Sequence, residues 1–71
     1  MEYGFYEFCD KNSYTGSITV LSFGVEIRVR KGDYGASCSI SKDELINTAD
    51  RDKVFNRAFE HLKRMIDNAK V

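Results

Sequence analysis

The chain lacks several residue types, and each absence argues against a class of protein. It has no proline or tryptophan, one histidine and two cysteines, and its eleven basic residues are balanced by eleven acidic ones. Cys9 and Cys38 lie far apart and form no C-x-x-C pair, so we expect no zinc site and no other metal or cofactor site. A neutral chain is typical neither of a basic nucleic-acid-binding domain nor of an acidic DNA mimic.

Long hydrophobic runs are also missing. No apolar stretch approaches the ~20 residues that span a bilayer, and the first eight residues lack the basic head and apolar run of a signal peptide. We therefore expect a cytoplasmic location, reduced cysteines and no membrane partner. With 42% hydrophobic and 31% charged residues, the composition favours a folded chain, and residues 1–71 are expected to form one domain.

The clearest structural signal is a strict alternation of apolar and charged residues over 25–30. A period of two predicts a β-strand, because successive side chains of a strand point to opposite faces. One face of this strand carries Val25, Ile27 and Val29, and the other carries Glu26, Arg28 and Arg30.

Other segments before Ser41 also have strand-like composition. Residues 2–9 are dense in aromatics, residues 17–23 are rich in β-branched side chains and residues 36–40 alternate, so each is predicted as a strand. The turn-forming residues of 10–16 and 31–35 separate them.

Gly24 leaves two alternatives open: a tight turn between two strands, or a bulge within one long strand. We favour the turn because the fifteen residues of 17–31 would be long for an ordinary strand.

The pattern changes to a helical one at Ser41. Ser41 and Glu44 match the S-x-x-E capping box that begins a helix. A second start signal follows at Thr48 or Asp50. Over 50–69, apolar residues recur at spacings of three and four and form a stripe of Phe55, Ala58, Phe59, Leu62, Met65, Ile66 and Ala69.

The predicted fold class is therefore α+β. We expect a three- or four-stranded antiparallel sheet, followed by a short helix and a long C-terminal amphipathic helix that packs on one sheet face.

The sequence contains few residues that could carry out chemistry. His61 lies beside the apolar stripe and has no partner at the spacing of a metal-binding pair. A cysteine nucleophile would need His61 nearby as a base, which requires the helix to cross Cys9 or Cys38. We therefore predict that the protein is not an enzyme.

Binding is the better-supported class of function. One helix covers only one sheet face, so some large apolar groups are left over, either tucked under loops or forming a contact patch. Arg28 and Arg30, with Tyr14, Tyr34 and Tyr6, are the predicted partner-contact residues, because arginine and tyrosine often dominate interfaces. Tyr14 and Tyr34 lie near predicted loop tips, where a core role is difficult to arrange.

These residues predict a non-enzymatic protein-binding module, an inhibitor or adaptor that sterically occupies a site on another protein. In size, neutrality and aromatic content the chain resembles small phage-encoded inhibitors and other accessory proteins, although no motif carries the likeness. A homodimer through the sheet face or edge is a further expectation. The alternative is a sheet platform for nucleic acid, against which Glu26 counts because it interrupts the positive track.

Overall fold

The computed structural model describes residues 4–69, which form three helices and three strands. The chain order is α1 (Phe5–Asn12), β1 (Thr15–Leu21), β2 (Gly24–Lys31), β3 (Tyr34–Ser41), α2 (Lys42–Asn47) and α3 (Arg51–Ala69). The strands form an antiparallel sheet in the order β1-β2-β3. The predicted α+β layout of a sheet followed by a short and a long helix is confirmed. Within 4–69, no helix has the length and apolar character needed to cross a bilayer.

The predicted alternation in β2 is confirmed, and it builds the centre of the core. Val25, Ile27 and Val29 are at most 8% exposed. Residues paired directly across antiparallel strands share a face. The pairing therefore adds Ile18 of β1 and Ile40 of β3 to the apolar side, which α3 covers mainly along β3.

The chain turns at Ser22-Phe23, so the turn predicted at Gly24 is confirmed over the bulge. Gly24 has a φ of 154°, a backbone conformation that residues other than glycine rarely adopt. A Cβ there would also collide with the carbonyl oxygen of Ile40. The second hairpin turns at Gly32-Asp33, within the turn predicted over 31–35.

The strand predicted over 2–9 is wrong for its described part, because Phe5–Asn12 is a helix. Residues 2 and 3 lie outside the described residues. The helix forms because Phe5, Phe8 and Cys9 share the i, i+3, i+4 spacing of one helical face, which packs against the core. The loop predicted over 10–16 is correspondingly shorter, since residues 10–12 belong to α1 and residues 15–16 to β1.

Aromatic stacking fixes α1 to the layer that contains α3. The rings of Phe8 and Phe59 are stacked with centroids 4.9 Å apart and an interplanar angle of 13°. The ring of Phe5 lies 5.8 Å from that of Phe59. Both helices therefore cover the same side of the sheet, and the other side has no helix over it among the described residues.

The predicted starts of the two C-terminal helices are confirmed. The hydroxyl oxygen of Ser41 accepts a hydrogen bond of 3.2 Å from the backbone N–H of Glu44, and Asp50 accepts one of 3.1 Å from that of Lys53. The predicted apolar stripe of α3 faces the sheet through its buried members Phe55, Phe59, Leu62 and Ile66, and Val54, which lies outside the predicted stripe, is buried as well. Met65 lies at the rim of this contact and is 39% exposed.

Replacing Phe59 with alanine should remove the residue that joins the helices. A buried phenylalanine truncated to alanine costs ~3–5 kcal/mol. That is a large share of the ~5–15 kcal/mol by which a native domain is stable. Urea unfolding followed by circular dichroism should show this loss for Phe59→Ala. The matched change Tyr6→Ala, at a side chain that is 72% exposed, should shift stability by no more than ~0.5 kcal/mol.

Gly16 is the glycine of β1 on which α1 rests. A Cβ at this position would collide with the carbonyl oxygen of Arg28 and lie 3.0 Å from Cζ of Phe5. Gly16→Ala should therefore lower the free energy of unfolding by ~1–3 kcal/mol, as overpacking does. Gly35→Ala is the control, because its Cβ would meet only the carbonyl oxygen of Val29, at 3.6 Å. Equal effects of the two changes would contradict this account of the α1–β1 contact.

Candidate functional site

The candidate site is the side of the sheet that faces away from the helices, which we call the open face. Alternation along β2 places Glu26, Arg28 and Arg30 on this face, as predicted from the sequence. The strand pairing supplies their neighbours. The neighbours are Thr15, Ser17, Thr19 and Leu21 from β1, and Gly35, Ser37, Ser39 and Ser41 from β3.

The centre of the open face is an ion pair. Nε of Arg28 lies 2.9 Å from Oε1 of Glu26, and their side chains are 67% and 34% exposed. Arg30 donates from Nε to the carbonyl oxygen of Gly32 over 3.0 Å. An exposed pair of this kind contributes only ~0–1 kcal/mol to folding, so its main effect is to orient Arg28. Only Nε of each arginine is used in these contacts, which leaves the two terminal nitrogens outside them.

The structure does not bring the five predicted contact residues onto one surface. Arg28 and Arg30 share the open face. Tyr34 pairs with Lys31 and therefore lies toward the helical side, at the end of the sheet, where it is 38% exposed. Tyr6 projects from α1, which belongs to the helical layer. The arginines and these two tyrosines thus belong to opposite sides of the molecule.

Tyr14 is a core residue. The expectation that its place near a loop tip would keep it out of the core is therefore wrong. It is 8% exposed, and its ring packs edge-on against Phe8 with centroids 5.4 Å apart. Nζ of Lys31 lies 5.9 Å from the ring centroid. Burial raises the pKa of the Tyr14 hydroxyl, and the negative charge of Asp67 raises it further. A partner could reach only the rim of this side chain.

Two large apolar residues that do not enter the core are exposed to solvent rather than covered by loops. Phe23 is 66% exposed and Val20 is 81% exposed. Phe23 lies in the β1–β2 turn, next to the end of the open face, where its carbonyl oxygen accepts a hydrogen bond of 2.9 Å from the backbone N–H of Lys42. Our selection of contact residues from the sequence missed Phe23. The signal was a phenylalanine next to Gly24, since a residue in a tight turn has little core to enter.

A groove of about 420 Å³ between β3 and α3 contains both Cys38 and His61. No hydrogen bond joins these two side chains in the described part of the chain. Burial raises the pKa of the Cys38 thiol, which disfavours the thiolate that a nucleophile requires. Among residues 4–69, no three histidine, cysteine or acidic side chains are grouped as metal ligands.

Comparison with known proteins identified no relative. No family model, curated protein or solved structure matches the chain. We therefore infer function from the chemistry of the chain's own residues.

The two thiols should react slowly in the folded protein. Burial raises the pKa of both Cys9 and Cys38, so at pH 8 each holds less thiolate than in the unfolded chain. Iodoacetamide labelling followed by mass spectrometry should be slower in buffer than in urea, and the difference should shrink as the pH rises. Faster labelling of Cys38 in the folded protein would indicate an activated nucleophile instead.

Proposed function

We propose that the protein is a non-enzymatic protein-binding module, an inhibitor or adaptor of the phage accessory type, that occupies a site on a partner through its open face. The observation that carries this proposal is an oriented, exposed arginine on the open face together with an exposed phenylalanine in the turn at the start of the same strand. Phe23 adjoins Gly24, and Gly24 and Arg28 are four positions apart along β2, a distance of ~13 Å.

The composition of the open face suits a protein partner. Its serine and threonine rows offer hydroxyl donors and acceptors, and Glu26 and Arg28 offer both signs of charge. Aromatic residues and arginine are enriched among the residues that dominate protein interfaces. Phe23 would act as the apolar anchor and Arg28 as the polar one. Binding by this surface would block the partner's site by its bulk.

The nucleic-acid alternative loses support from the same face. Platforms for single strands stack bases on aromatic side chains and follow the backbone with continuous positive charge. In the described part of the chain, no strand residue of the open face is aromatic. Tyr6, Tyr14 and Tyr34 lie elsewhere, and Phe23, in the turn at the end of this face, offers a single ring rather than a row on which successive bases stack. Glu26 also neutralises the arginine next to it.

The non-enzymatic part of the proposal rests on the thiols. They are the nucleophiles that the sequence offered, and burial raises the pKa of each. The groove beside Cys38 is lined by charges of both signs and by His61, which is exposed. Neither feature prepares a nucleophile for reaction.

The test is quantitative capture of a crosslinked partner from a lysate of the source organism. Arg28→Ala and Phe23→Ser should each reduce recovery of the same partner by about tenfold or more, since hot-spot residues are worth at least ~2 kcal/mol. Lys53→Ala and Ile46→Ser are matched controls, because both side chains are exposed and lie on helices. The controls should recover the partner as the wild type does.

Equal recovery of the partner by the wild type and all variants would contradict the assignment of the open face as the binding surface. A gel-shift series at low salt tests the alternative. Nucleic-acid binding that weakens steeply as the salt concentration rises, and that is lost in Arg28→Ala, would support the nucleic-acid alternative over a protein partner.

A further inference from the structure

We propose that two copies of this chain associate through β1, paired antiparallel about a two-fold axis at Ile18. In the order β1-β2-β3, β1 pairs with β2 on one side, and no strand within residues 4–69 pairs with its other side. An unpaired edge offers a row of backbone N–H and C=O groups to another strand.

The strand residues of β1 lack the features that usually prevent edge pairing, whereas charged side chains lie beside the edge of β3. The seven residues of β1, TGSITVL, include no charge and no proline, which are the usual devices that block edge pairing. Beside β3, the groove against α3 is lined by Arg57, Glu60 and Arg64. A second copy approaching that edge would have to pass charged side chains of a helix. Self-pairing is therefore favoured at β1.

Val20 is an apolar residue whose side chain no other part of the described chain covers. It pairs with Val25, which places it on the helical side of the sheet, yet it is 81% exposed. Gly16 lies four residues earlier on the same face, beneath the ring of Phe5. A groove of about 400 Å³ runs beside Gly16, between α1 and β1. Its lining includes Tyr6, Tyr14 and one charged residue, Asp10.

Symmetry brings this side chain and this groove together. Gly16 and Val20 are equally far from Ile18, so pairing Ile18 with its copy sets each Val20 opposite the other chain's Gly16. Directly opposed residues share a face, and each Val20 therefore points to the side on which the partner's α1 lies. Each chain contributes one apolar side chain and one groove, and the contact is closed and isologous.

The available area predicts a weak dimer. A seven-residue strand is ~23 Å long, and across a domain 17–20 Å thick it presents roughly 400 Å² in projection. Tyr6, which is 72% exposed, adds about 110–180 Å² of the ~150–250 Å² that an aromatic side chain carries. The total lies below the ~800 Å² per partner of a standard interface, as in transient complexes. The dimer should therefore be weak and transient.

Sedimentation velocity over about 5 to 500 micromolar tests association, because interfaces of this small size are typical of weak, transient complexes. The wild type should shift from monomer to dimer. Val20→Lys should remain monomeric throughout, and it should fold normally because Val20 is exposed in the monomer. Ile46→Lys is the matched control, since Ile46 is also exposed but lies on α2, and it should dimerise as the wild type does.

Disulfide trapping tests the register in a Cys9→Ser, Cys38→Ser background whose fold is checked by circular dichroism. Ile18→Cys places two Cα atoms ~4.5–5.5 Å apart across the axis, within reach of a disulfide. Thr19→Cys places them ~8 Å apart, beyond that reach. A monomer at every concentration, a dimer that survives Val20→Lys, or better crosslinking by Thr19→Cys would each overturn the proposal. None of these outcomes bears on Phe23 or Arg28.

Discussion

The stacked rings of Phe8 and Phe59 are the contact on which the rest of the structure depends. They join the N-terminal helix to the C-terminal one and so complete a helical layer on one side of the sheet. Phe5 and Tyr14 pack against the same pair of rings. Because these aromatic side chains are used in the core, the open face consists mainly of serine, threonine, arginine and glutamate. The chemistry of the candidate site is thus a consequence of packing on the opposite side.

The parts of the fold that could be predicted are those set by local signals. Alternation over 25–30 specifies a strand and its two faces without reference to any neighbour. Ser41 and Asp50 specify helix starts through hydrogen bonds to residues three positions along the chain. The short helix α1 has no comparable signal. Its N-cap is Gly4, which makes no side-chain capping bond, and its aromatic residues also favour strands. Only the spacing of Phe5, Phe8 and Cys9 indicated a helix.

The site was predictable to the same extent. Arg28 and Arg30 share a face through local alternation, so their position follows from the sequence. The tyrosines depended on the path of residues 5–14, which the contact with Phe59 decides. A strand over 2–9 would have placed Tyr6 in the same sheet as the arginines, whereas the helix places it in the other layer. Phe23 became a candidate only when the alternatives at Gly24 were resolved in favour of a turn.

A three-stranded sheet with helices on one side has two different accessible surfaces, the open face and the edge of β1. Their different chemistry suits them to different partners. The open face is mostly polar and charged, whereas the edge of β1 is neutral and carries the exposed Val20 near its end. Pairing two edges would leave both faces accessible and on the same side. Three strand spacings, ~14 Å, would then separate the two β2 strands, and each would carry an Arg28. A partner with repeated sites could engage both faces at once, and the second contact would benefit from a high effective concentration. Even a weak dimer would therefore strengthen binding without any new contact on the face itself.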